Sequence, residues 1–122
     1  MENMYVRINT EIGYIDAKRD AIFLDSFSQQ GNILNLIGEI DSACCEKKSK
    51  EYKWYKYCLT IKYEAINIEE YYKKKIKTES SFSEVLNVAD NKSNLRTIII
   101  ETYDWVYIIT CRELVFEIID RR

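Results

Sequence analysis

Apolar and polar residues alternate without a break from Tyr55 to Ala65. Tyr55, Tyr57, Leu59, Ile61 and Tyr63 fall on one parity; Lys56, Thr60, Lys62 and Glu64 fall on the other. Side chains point to opposite faces of a pleated strand in turn, so this period of two predicts a half-buried strand. The phase then slips, because Ile66 and Ile68 continue on the opposite parity. A bulge or bend near Ala65 accounts for the slip.

Other segments carry weaker versions of the same signal. Ala21–Phe27 and Ile33–Ile40 flank Gln29-Gln30-Gly31-Asn32 and predict a hairpin. Gly38, inside the return strand, predicts a bulge or a close backbone approach. Tyr5–Ile15 predicts an edge strand ending near Gly13, and Lys18-Arg19-Asp20 a polar connection. Leu95–Thr102 and Trp105–Cys111 have centres apolar on both faces, which predicts central strands. Leu114–Ile119 reads as a last strand or a helix.

One segment breaks the pattern. Ser81 and Glu84 have capping-box spacing, and Phe82, Val85, Leu86 and Ala89 fall on one helical face. This predicts a short helix over 81–90. The connections between strands are mostly hairpin-sized and favour antiparallel pairing. The expected fold is mainly β, with α+β as a variant. Six or seven strands would form an antiparallel sheet, sandwich or partly open barrel, with one short helix. No linker or repeat divides residues 1–122, so a single domain is expected. A chain of 122 residues buries roughly two thirds of its surface, enough for one core.

Composition narrows the chemistry. Histidine is absent, which removes Ser-His and Cys-His nucleophile pairs and imidazole metal ligands. Eighteen basic and twenty acidic residues give a formal charge of −2, which argues against nucleic-acid binding. Cys44 and Cys45 are adjacent, and no C-x-x-C occurs, so neither a metal nor a cofactor is expected. With three glycines there is no phosphate-cradling loop. Neither a secretory h-region nor a membrane-length apolar run is present, so the expected location is cytoplasmic with reduced thiols. Cys58 and Cys111 lie in strand-like patterns and read as packing residues.

The chain's ten tyrosines and two tryptophans are its most unusual feature. Glu51–Tyr57 alone holds four rings and two lysines. Parity assigns Tyr55, Tyr57 and Tyr63 to the core. Tyr52, Trp54, Tyr71, Tyr72 and Trp105 are the candidate protein-binding residues, since Tyr and Trp are enriched at interface hot spots. Stacking of these rings on single-stranded nucleic acid is the weaker reading, given the charge. Glu39, beside Gly38, and Glu101, before the Tyr103-Asp104-Trp105 corner, form a speculative acidic pair.

The expected function is a small non-catalytic binding protein that recognises another protein, an antitoxin or immunity-type inhibitor being one version. A β-cup for a small apolar or aromatic ligand and a carboxylate-dependent enzyme are the alternatives. No proline blunts the sheet edges, so homodimerisation by strand-edge pairing is also expected.

Overall fold

A computed structural model describes residues 4–73, 80–86 and 94–121. Ten strands follow in order: β1 (Met4–Val6), β2 (Ile8–Thr10), β3 (Gly13–Ile15), β4 (Ala17–Lys18), β5 (Ile22–Gln30), β6 (Ile33–Asp41), β7 (Trp54–Glu70), β8 (Ser80–Leu86), β9 (Arg96–Glu101) and β10 (Trp105–Arg121). Eight form one antiparallel sheet in the order β1-β8-β9-β10-β7-β6-β5, with β4 also beside β8. The sheet is not closed into a barrel. β2 and β3 form a separate hairpin.

The expected antiparallel, mainly β class holds, but the strand count was too low and the helix is absent from the described residues. Ser80–Leu86 is a strand, paired with β9 on one side and with β1 and β4 on the other. A helix of this length cannot repay its own nucleation in water. Neighbouring ladders give its backbone partners on both sides, and its Phe and Val residues suit a pleat. Glu84, read as half of a capping box, instead accepts from Arg96 Nη2 and Nε, at 2.6 and 3.0 Å. Residues 87–90 of the predicted helix lie outside the described residues. Leu114–Ile119 is no separate element; it continues β10.

The 17-residue strands β7 and β10 pair along their lengths and form the spine of the sheet. β6 flanks the first half of β7, from Trp54 to Lys62, and β9 flanks the first half of β10, from Val106 to Cys111. The spine is irregular where these halves meet. Thr110 faces Ala65, Cys111 faces Tyr63 and Glu113 faces Lys62, so Glu64 and Arg112 are both skipped. These two exposed residues pair with each other, Nε to Oε1 at 3.2 Å. This is the bend expected from the phase slip. It moves the buried parity of β7 from Tyr57, Leu59 and Ile61 to half-buried Ile66.

Rings join the two halves of the sheet. Tyr57 on β7 stacks on Phe116 of β10 at 5.4 Å and meets Phe82 of β8 edge-on at 6.0 Å. Phe27 of β5 stacks on Tyr107 of β10 at 4.8 Å. Ile8 and Ile15 from the β2–β3 hairpin add to the same core. Tyr55 and Tyr57 are buried as parity required, while Tyr63 is half-buried.

Gly38 meets both expectations placed on it. It faces Leu24 of β5 and Tyr57 of β7, and the β5–β6 register skips Asp25 beside it. A Cβ at Gly38 would lie 1.8 Å from the Phe23 carbonyl oxygen and 2.9 Å from the Tyr57 hydroxyl. Those two atoms are themselves hydrogen-bonded, the hydroxyl donating at 2.9 Å. Gly38→Ala must therefore displace backbone and is expected to cost roughly 3 kcal/mol. Gly31→Ala, at a φ of +60° with open space around it, should cost about 1 kcal/mol. Urea denaturation of both variants checks the order. Equal losses would show that β5 can move away from β6.

Candidate functional site

A cavity of about 570 Å³ opens at one end of the sheet. Four separate stretches build it. The β4–β5 turn supplies Arg19 and Asp20, and β5 supplies Ile22, Phe23, Leu24 and Asp25. The end of β7 leads to Tyr71, β8 contributes Ser81 and Phe82, and β9 ends in Glu101, Thr102 and Tyr103. The cavity thus lies between the β5 side of the bent sheet and the β8–β9 side. Its inner wall is apolar and continuous with the core through Phe82.

The local reasons for these placements are simple. Asp20 takes a positive φ of 65°, which Asp tolerates better than most residues, and Ala21 N donates to Lys18 O across the turn at 3.1 Å. The turn brings Arg19 Nη2 to 2.9 Å from Glu101 Oε2, across 82 positions of sequence. The Arg19 guanidinium also stands 5.6 Å from the centre of the Tyr71 ring. Desolvation works against its charged form, but Glu101 and Tyr71 together outweigh it and raise the Arg19 pKa. The Glu101 side chain is 3% exposed and that of Arg19 47%, so the pair spans from interior to rim.

Exposed rings line the cavity, Phe23 and Tyr103, and two more, Tyr72 and Trp105, lie close to its lining residues along the chain. Tyr103 is 85% exposed, Tyr72 77%, Phe23 43% and Trp105 42%. Tyr71 N donates to Asp104 O at 2.8 Å, which ties the Tyr71–Tyr72 turn to the Tyr103–Trp105 corner. The corner is closed by Thr102, whose N and Oγ1 both donate to Trp105 O, at 2.8 and 3.0 Å. Trp54 is half-buried with its ring 5.7 Å from that of Phe23. Of the predicted binding residues Tyr71 lines the cavity itself; Tyr72 and Trp105 lie next to lining residues along the chain, and Trp54 touches the lining residue Phe23. Tyr52 stands apart: it is half-buried against the core, and its carbonyl accepts from Ser42 Oγ at 2.9 Å.

Comparison with known proteins gives no matching family model, no matching curated protein and no matching solved structure.

The two acids of the speculative pair lie on different strands, Glu39 on β6 and Glu101 at the end of β9. Glu39 sits on β6 between Phe23 and Lys56, and only Glu101 lines the cavity. The acid nearest Glu101 in register is Glu69, because Val106 faces both residues from β10. Two strand spacings separate them, about 10 Å. Sequence reading passed over Arg19, Phe23, Asp25 and Tyr103 as site residues. Tyr103 carried a signal, as the exposed tip of a Tyr-Asp-Trp corner; Arg19 carried none beyond its place in a polar connection. Among the described residues no group of three or more Cys, Asp or Glu could hold a metal, and no helix is long and apolar enough to cross a membrane.

The four cysteines are free thiols away from this cavity. Burial, with help from Cys44 and Asp41, pushes the Cys45 thiol up to about 12, and burial pushes Cys111 up to about 11. Cys44 is also raised, chiefly by burial. Tyr57 is raised by burial first and then by the Asp25 charge. All four groups stay protonated in the fold at pH values where the unfolded chain ionises. The unfolded state then holds fewer protons, so their contribution is complete below about pH 9 and declines as pH rises through the folded values. The urea midpoint should fall as pH rises from about 9 to 11, and native Cys45 and Cys111 should resist a thiol reagent at about pH 8 until denaturant is added. A midpoint that rises with pH would contradict the burial of these groups.

Proposed function

We propose that this chain is a non-catalytic binding protein that recognises another protein with the aromatic end of its sheet. One observation carries the proposal: Phe23 and Tyr103 line one opening while staying exposed, and exposed Tyr72 and Trp105 lie within two residues of its lining residues Tyr71 and Tyr103, whereas most other rings pack in or against the core. A folded chain gains about 25 cal/mol for each Å² of apolar surface it hides, so leaving four large rings together in water costs stability unless a partner covers them. Tyr and Trp also give much contact area for little lost side-chain freedom, which is why they dominate interface hot spots. A cytoplasmic inhibitor of a partner enzyme is one version of this function. Self-association is another, through β5, an end strand of nine residues that contains neither Lys nor Pro.

A second reading is a cup for a small ligand. The volume of the cavity, about 570 Å³, favours it, since ligand sites run from roughly 300 to 1,000 Å³. Native mass spectrometry of protein purified from the cells that make it separates the two, because a small ligand adds a discrete low mass.

A photo-crosslinking residue placed at Tyr103 should join the chain to a protein partner in those cells, and one placed at exposed Lys62 should not. Tyr103→Ala with Trp105→Ala should weaken capture of that partner at least ~10-fold, the scale of interface hot spots, without changing the circular dichroism spectrum. Equal labelling from both positions would count against recognition at this end of the sheet.

A further inference from the structure

We propose that the cavity receives an arginine side chain of the partner protein. The inference rests on the protein-binding reading and names the chemistry of the contact. Three features of the cavity point to it.

The charge comes first. Among the described residues one guanidinium and three carboxylates line the cavity, from Arg19, Asp20, Asp25 and Glu101, a formal charge of −2. The Arg19–Glu101 contact at 2.9 Å matches one charge of each sign. Asp20 and Asp25 remain, both exposed and both on the turn and strand that form the outer lip. An anionic group would meet an excess of like charge there. A neutral apolar group would draw water away from two carboxylates and return nothing to them.

The walls come second. Ile22, Leu24 and Phe82 form an apolar lining below the carboxylates. A suitable occupant has an apolar stem and a cationic head, which describes arginine and lysine alike.

The rings decide between them. Tyr71 and Tyr103 line the cavity, and Phe23 stands at its edge. A planar guanidinium stacks on such faces and offers paired donors to a carboxylate, whereas an ammonium is a compact, strongly hydrated point charge. The cavity already shows this chemistry once. Its own Arg19 lies between the Glu101 carboxylate and the Tyr71 ring. Asp20, Asp25 and Tyr103 supply further carboxylates and a ring among the lining residues.

The test titrates blocked tripeptides Gly-Xaa-Gly into the full ¹⁵N-labelled chain, with Xaa as arginine, citrulline, lysine or glutamate. The arginine peptide should shift the amides of Phe23–Asp25 and Thr102–Tyr103 saturably, with a dissociation constant on the order of millimolar. Citrulline keeps the shape and loses the charge, and should bind at least ~10-fold more weakly. The glutamate peptide should leave these amides unmoved. Asp20→Asn with Asp25→Asn should weaken the arginine peptide by a similar factor, and Asn suits the positive φ at position 20, so the turn should persist. Citrulline or lysine binding as tightly as arginine overturns the proposal, as does an unchanged affinity in the double variant. The Tyr103 crosslink tells the two readings apart. If the double variant still crosslinks to its partner while no wild-type amide responds to arginine, recognition of a protein stands and the arginine assignment falls. If neither signal is seen, both fall.

Discussion

The bend in the β7–β10 spine is the constraint on which the remaining structure depends. Two strands of 17 residues are too long to lie flat over a core of this size. Skipping Glu64 on one strand and Arg112 on the other breaks the ladder at one level and restores the register beyond it. The side chains taken out of the ladder become each other's partners at the surface. That exposed ion pair is worth little by itself, of the order of 0–1 kcal/mol. The gain lies in the rings that the bend brings together: Phe82 against Tyr57, and Phe27 against Tyr107. Burying one such ring stabilises by about 1.5–3 kcal/mol, so packing outweighs the pair that marks the corner.

The contact at Gly38 transmits this arrangement to the cavity. Glycine within a strand costs roughly 0.5–1 kcal/mol relative to alanine. Here it lets the Tyr57 hydroxyl reach the Phe23 carbonyl, so a buried donor and a strand carbonyl are both satisfied. Leaving such a donor unpaired costs about 1–3 kcal/mol, more than the glycine does. The same bond holds β5 where Phe23 forms the lip of the opening. Core and candidate site therefore share a hydrogen bond, and the positions of the exposed rings follow from the packing of buried ones.

The opening itself combines features that a solvated surface would not need. The Glu101 carboxylate is buried, and Arg19 reaches down to it while its own side chain stays half in solvent. Around this pair, rings from three separate turns and strands face water. The cysteines show the contrasting case. Burial raises the Cys45 and Cys111 thiols and keeps them in the core cluster, away from the opening.

Much of the architecture could be read from local order. The alternation from Tyr55 to Ala65, the slip after it, the hairpin around Gly31 and the close approach at Gly38 each depend on residues near in sequence, because a strand sorts its side chains by parity alone. The segment Ser81–Leu86 misled for the same local reason. Its spacing satisfies a helix as well as a strand, and only the ladders of β1, β4 and β9 beside it decide the matter. The cavity was not legible at all. Its walls come from four stretches whose proximity the bend creates, and its central ion pair joins residues 82 positions apart. The chain by itself determined which residues turn inward along each strand, since that follows from a repeat of two. Tertiary structure alone decided which of the remaining rings and charges meet at one opening, since that follows from how the spine bends.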